Sequence, residues 1–125
     1  MSSRRAVEGF LAQKSIAVVG VSRAGNKFSN AAFRELAKKG YAVVPVNPHA
    51  DSLEGQRCYH TLKEIRPQPG GALIITPPAQ TEAAVRDAAE AGIRSLWIQQ
   101  GAETPGALAL ALKAAFPTAP VYGID

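Results

Sequence analysis

The chain has 125 residues, 46% hydrophobic and 19% charged, a globular composition that fits one domain over 1–125 with one core. A net charge of +4 and a pI of about 9.5 come from scattered Lys and Arg, with no run longer than Arg4-Arg5 or Lys38-Lys39; this favours a small polyanion over nucleic acid as partner. With no apolar run near the roughly 18 residues of a membrane span, no signal-peptide core, a lone Cys58 and two histidines, the expectation is a cytoplasmic protein without membrane, disulfide or metal site.

Val7, Phe10 and Leu11 at helical spacing, with Ser3 as N-cap, predict a short packing helix over Ser3 to Gln13. Ser15 to Gly20 is a continuous apolar run, the pattern of a central parallel strand covered on both faces. The loop that follows carries Ser22, Arg23, Lys27, Phe28 and Ser29, and Phe33, Leu36 and Ala37 predict a helix from Asn30 to Lys39, stopped at Gly40. A helix start offers unpaired N–H groups and a positive dipole end, so this loop suits an anionic, phosphate-bearing ligand.

Tyr41 to Val46 is the second strand, closed by Asn47-Pro48, and completes a right-handed βαβ unit. From His49 to Gly70 the pattern is irregular: Gly55 predicts a turn, Arg57 to Tyr59 a short edge strand and Thr61 to Ile65 one helical turn. Gly71 to Thr76 is a strand ending in Pro77-Pro78. Gln80 to Ala91 is a helix with Ala84, Val85, Ala88 and Ala89 inward and Gly92 as its stop. Ile93 to Gln99 is a strand. Thr104-Pro105 starts a helix with Leu108, Ala111, Leu112 and Ala115 on one face, ended by Pro117, and Val121 to Ile124 is the last strand. The alternation predicts a three-layer α/β, Rossmann-like domain with a mainly parallel sheet of five to six strands.

In such a sheet, ligands sit beyond the carboxyl ends of the strands where the strand order reverses. Gly20-Val21-Ser22, Asn47-Pro48-His49, Thr76-Pro77-Pro78 and Gln99-Gln100-Gly101 all follow strand ends and converge there. Gly20 serves as a turn with unusual backbone angles, as a point of close approach to phosphate, or as both. Ser22 and Ser29 are caps or phosphate ligands, and Lys27 beside the helix start would neutralise a diphosphate. Trp97 and Cys58 read as core, with Cys58 away from the crevice.

A nicotinamide dinucleotide fits poorly: the loop is not G-x-G-x-x-G, and the second strand ends in Val46-Asn47-Pro48 rather than in an acidic residue. A Walker loop fails because no glycine precedes Lys27 and Phe28 follows it.

These residues carry a family resemblance. Val19-Gly20-Val21-Ser22 with Lys27-Phe28-Ser29, Val44-Pro45-Val46-Asn47-Pro48, Gly55-Gln56-Arg57-Cys58-Tyr59, Ile75-Thr76-Pro77-Pro78 and Trp97-Ile98-Gln99-Gln100-Gly101 stand in the order of the small stand-alone CoA-binding proteins. Their fold is similar to the N-terminal domain of the succinyl-CoA synthetase α subunit. The resemblance implies that Ser22 to Ser29 receive the phosphates of coenzyme A or an acyl-CoA, that Asn47-Pro48-His49 border its adenosine end, and that Thr76 to Pro78 with Gln99 line the crevice. The family often has Lys or Arg where this chain has His49. In the synthetase the phosphorylated histidine and ligase chemistry lie in other domains, and no Ser-His-Asp, Cys-His or paired-acid spacing replaces them here. The expectation is a non-enzymatic CoA-binding module, a sensor or carrier working with a protein partner. The alternative is an NAD(P)-binding Rossmann protein or redox sensor, and the third reading an interaction scaffold.

Overall fold

The computed structural model describes residues 4–93, 95–99, 101–113 and 119–120. In chain order these form α1 (Arg4–Leu11), β1 (Ser15–Val19), α2 (Phe28–Lys38), β2 (Ala42–Val46), the hairpin β3 (Ser52–Leu53) and β4 (Gln56–Arg57), and a 3-10 turn (Leu62–Glu64). Then come β5 (Gly71–Ile74), α3 (Pro78–Ala91), β6 (Ser95–Ile98), α4 (Pro105–Lys113) and β7 (Ala119–Pro120).

The main sheet runs β2-β1-β5-β6-β7 with every pairing parallel. The chain leaves β1 towards β2, then returns to add β5 on the other side, so the order reverses at β1. The β1 run is apolar because both of its faces are covered. Ile16 and Val18 pack with Phe10, Phe33, Leu36 and Leu73 on the α1/α2 side. Ala17 and Val19 pack with Ile74, Val85, Ala88 and Ile98 on the other. Trp97 is core as expected, its ring centroid 5.4 Å from that of Phe10.

Several boundaries differ from the sequence pattern. Helix α2 starts at Phe28 rather than Asn30, because the Asn30 side chain caps the preceding turn by accepting the Lys27 N–H at 3.2 Å. Phe28 is 55% exposed, so it lies off the apolar stripe that marks the helix. Helix α3 starts at Pro78 rather than Gln80, since proline needs no N–H acceptor in the first turn.

The sheet is smaller than the upper expectation: four strands of four or five residues and the two-residue β7. The edge strand read at Arg57 to Tyr59 is instead half of the antiparallel β3–β4 hairpin, turning at Glu54-Gly55 with both φ angles positive (52° and 78°). Tyr59 makes only a parallel bridge to Val46. The expected strand Val121 to Ile124 and the helix end at Ala115 and Pro117 lie outside the described residues. No helix among the described residues is long and apolar enough to cross a membrane.

Gly20 has φ +105°, and a Cβ there would overlap the Ile75 carbonyl oxygen and lie 2.9 Å from its carbon. The turn therefore brings the ends of β1 and β5 together backbone to backbone. Gly25 has φ +82° but open space around it. Gly20→Ala is expected to cost about 2–4 kcal/mol and Gly25→Ala about 1–2 kcal/mol, measured by denaturant unfolding; equal losses would contradict the steric account.

Candidate functional site

Above the carboxyl ends of β1, β2 and β5 lies a cleft of about 720 Å³. Gly20, Ser22 and Arg23 line it from the β1–α2 loop, Asn47, Pro48 and His49 from the end of β2, and Thr76 and Pro77 from the end of β5. A second lobe of about 440 Å³ also touches Thr76 and Pro77, and is lined by Lys27, Phe28 and Ser29 at the start of α2 and by Pro78, Gln99, Gly101 and Ala102. The lobes meet at the β5–α3 elbow. Every residue singled out as ligand-facing lines one of them, apart from Val21, which is buried in the core, and Gln100, which lies outside the described residues.

The loop is shaped by its own polar groups. Ser22 Oγ accepts the Ala24 N–H at 3.0 Å, which is the capping role. Asn30, fully buried, donates to the Ser22 carbonyl at 2.8 Å and to Glu54 Oε2 at 2.9 Å, and accepts from Lys27 N–H at 3.2 Å. Glu54 also holds Arg34 at 3.0 Å. Asn47 likewise spends its amide on the backbone, donating to the Val21 carbonyl at 2.8 Å and accepting the His49 N–H at 2.7 Å. Its part in the cleft is to shape the wall. The Thr76 and Thr81 hydroxyls are 2.7 Å apart, buried beneath the elbow.

The loop end of the cleft is positively charged. Arg34, Lys63 and Arg86 are paired with Glu54, Glu90 and Glu82. Arg23 and Lys27 have no ion-pair partner among the described residues and stand at the lobes with the first-turn N–H groups of α2. The lobes are thus suited to a divided anion flanked by less polar parts.

Sequence reasoning missed the far wall: His60, Thr61, Gln80, Ala83, Ala84 and Asp87. The α3 members follow i, i+3, i+4, i+7 spacing, a signal that the inward apolar stripe hid. His60 Nε2 lies 2.8 Å from Asp51 Oδ1. Asp87 Oδ2 accepts the Leu62 N–H at 2.7 Å and ties α3 to the 3-10 turn. The hydrogen bond from Lys63 to Glu90, at 2.7 Å, raises the lysine and lowers the glutamate. Cys58 is outside the lining, 4% exposed, with its thiol directed at the Asn47 and Tyr59 carbonyls; burial pushes its pKa up. Among the described residues no three His, Cys, Asp or Glu side chains gather to hold a metal ion.

The cleft at the strand-order reversal is that of a Rossmann-like α/β domain. Residues 14–120 match the CoA binding domain family, and the chain belongs to that family. It is homologous to the CoA-binding N-terminal part of ADP-forming acetate–CoA ligase α subunits, succinyl-CoA synthetase-like. It is 28% identical to the acetate–CoA ligase [ADP-forming] II subunit alpha of Pyrococcus furiosus over 71% of this chain, spanning only 20% of that subunit. To the uncharacterized protein YneT of Bacillus subtilis it is 30% identical over 70% of this chain and 65% of that one. A solved conserved hypothetical protein from Pyrococcus furiosus superposes with a TM-score of 0.81 at 32% identity, covering 90% of this chain and 95% of that one.

Asn30→Ala would strand the Lys27 N–H and the Ser22 carbonyl, and is expected to cost about 2–4 kcal/mol in denaturant unfolding. Glu64 accepts the Thr61 and His60 N–H groups at 3.0 and 3.1 Å, and the Thr61 bond above all lowers its carboxyl from the ordinary 4.5. A lowered folded pKa gives stability that is full above the unfolded value and lost as pH falls through the folded one. The stability gap between the native protein and Glu64→Gln should accordingly be full at neutral pH and shrink below pH 4.5; a pH-independent gap in thermal melts would contradict this.

Proposed function

We propose that the chain binds coenzyme A or an acyl-CoA without transforming it, as a sensor or carrier module that works with a protein partner. The observation that carries this reading is the pair of lobes meeting at the Thr76-Pro77 elbow, with Arg23 in the larger and Lys27 in the smaller, neither with an ion-pair partner among the described residues. CoA has the matching layout: a nucleotide at one end, a diphosphate in the middle and a thin arm at the other. The diphosphate would lie along Ser22 to Ser29, within reach of the Phe28 and Ser29 N–H groups and the Lys27 ammonium. Adenosine would enter the larger lobe beside Asn47, Pro48 and His49. The arm would pass Thr76, Pro77 and Pro78 into the lobe bordered by Phe28 and Gln99.

Membership of the CoA binding domain family supports the ligand, and offers nothing for the nicotinamide alternative. The wholly non-catalytic role rests on the chemistry available. His60 pairs with Asp51, yet no hydroxyl or thiol among the described residues bonds to His60, and burial disfavours the Cys58 thiolate. The ligase subunit acts on CoA by its name, and this chain spans only a fifth of it.

Isothermal calorimetry tests the reading. CoA and acetyl-CoA should both bind near physiological salt, more weakly as salt rises, and Lys27→Ala should lose about 1–3 kcal/mol of a charge-assisted contact. Absence of binding by both would overturn it, and an NADH fluorescence change without a CoA signal would install the nicotinamide alternative.

A further inference from the structure

Asp87 poses a chemical question that the fold does not answer. Its Oδ2 is held by the Leu62 N–H at 2.7 Å, while Oδ1 is shut off from solvent with no hydrogen-bond partner. The Lys63 ammonium, which feels the Asp87 charge, does not relieve it, because it is committed to Glu90 at 2.7 Å. A carboxylate oxygen without water or donor is costly, and such atoms in folded proteins call for an explanation.

The explanation offered by the site is a donor brought by the ligand. Asp87 lines the larger lobe on the same α3 face as Gln80, Ala83 and Ala84, about 10 Å along the helix from Gln80. Val46 and Pro48 line the same lobe as the two alanines, which gives it apolar surface for a ring to pack on. The lobe is also polarised: Arg23 stands at the loop end and the Asp87 carboxylate at the 3-10 turn end. A ligand that suits this polarity is anionic at one end and carries an N–H donor on a planar ring at the other. The torsion of a carboxylate is soft, so a small rotation that keeps the Leu62 bond turns Oδ1 towards the lobe.

We propose that Asp87 is a specificity residue that accepts a hydrogen bond from the exocyclic amino group of the adenine ring, so that the cleft selects a 6-aminopurine nucleotide. The assignment rests on the CoA reading and names the part of the ligand that the larger lobe recognises. It also explains why a carboxylate lies in a cleft for an anion: it is set at the end of the lobe away from the loop that would hold the phosphates.

Calorimetry on the intact chain tests it with adenosine 3′,5′-bisphosphate, the nucleotide part of CoA, against the purine riboside analogue with hydrogen in place of the 6-amino group. The native protein should bind the adenine compound roughly tenfold or more tightly, the effect of supplying a donor to an acceptor that is already desolvated. Asp87→Asn keeps an oxygen for the Leu62 N–H but turns a donor towards the amino group, so it should bring the adenine compound down to the level of the analogue and leave the analogue within about twofold of its native affinity. Equal binding of the two compounds by the native protein overturns the Asp87 assignment and leaves the CoA reading standing. Failure of both compounds and of CoA itself to bind overturns that reading as well. If Asp87→Asn fails to fold, Asp87→Glu serves in its place: it keeps the carboxylate but moves it, and should narrow the preference for the adenine compound, while an undiminished preference overturns the assignment.

Discussion

The loop between β1 and α2 keeps its shape because one buried side chain serves three partners. Asn30 carries an amide with both donors and its acceptor engaged: to the Ser22 carbonyl, to Glu54 and from the Lys27 N–H. Without Asn30 the Ser22 carbonyl and the Lys27 N–H would lose their partner, so the bonds specify one loop conformation more than they add stability. Through Glu54 the same residue ties in the β3–β4 hairpin, which accounts for a non-glycine residue held at φ 52°. The exposed cations Arg23 and Lys27 thus project from a frame held by these bonds.

The frame is set against the sheet by a second constraint, the contact of Gly20 with the backbone of Ile75. Because β1 lies between β2 and β5, its end is where the chain turns away in both directions, and the two lobes open on either side of the elbow at Thr76-Pro77. Side chains that build the walls are mostly occupied with the backbone, as Asn47 is, leaving the ligand-facing chemistry to main-chain amides, unpaired cations and flat apolar surfaces. That division matches a long, multiply charged ligand better than a small one, and it matches the family to which the chain belongs.

Strands were legible because β1, β5 and β6 are buried on both faces and so read as unbroken apolar runs. Helix starts were less so: Phe28 and Pro78 open their helices without joining the apolar stripe. The stretch from His49 to Gly70 has no periodicity to read, since polar bonds over long sequence separations hold it, Glu54 to Arg34 and Asp87 to the Leu62 N–H among them. The loop half of the cleft was visible as residues following strand ends. The α3 half was masked, because Gln80, Ala83, Ala84 and Asp87 share a helix with the stronger inward apolar stripe, and the unmet oxygen of Asp87 arises only on folding.

The central claim, that this two-lobed cleft is where CoA binds, is tested most directly by titrating CoA into isotopically labelled protein and following backbone amide resonances. The account predicts that shifts concentrate at 20–29, 47–49, 76–78 and 99–102, with the Phe28 and Ser29 amides among the largest because they would donate to phosphate. Saturable shifts confined to another face, or none at all, would contradict it.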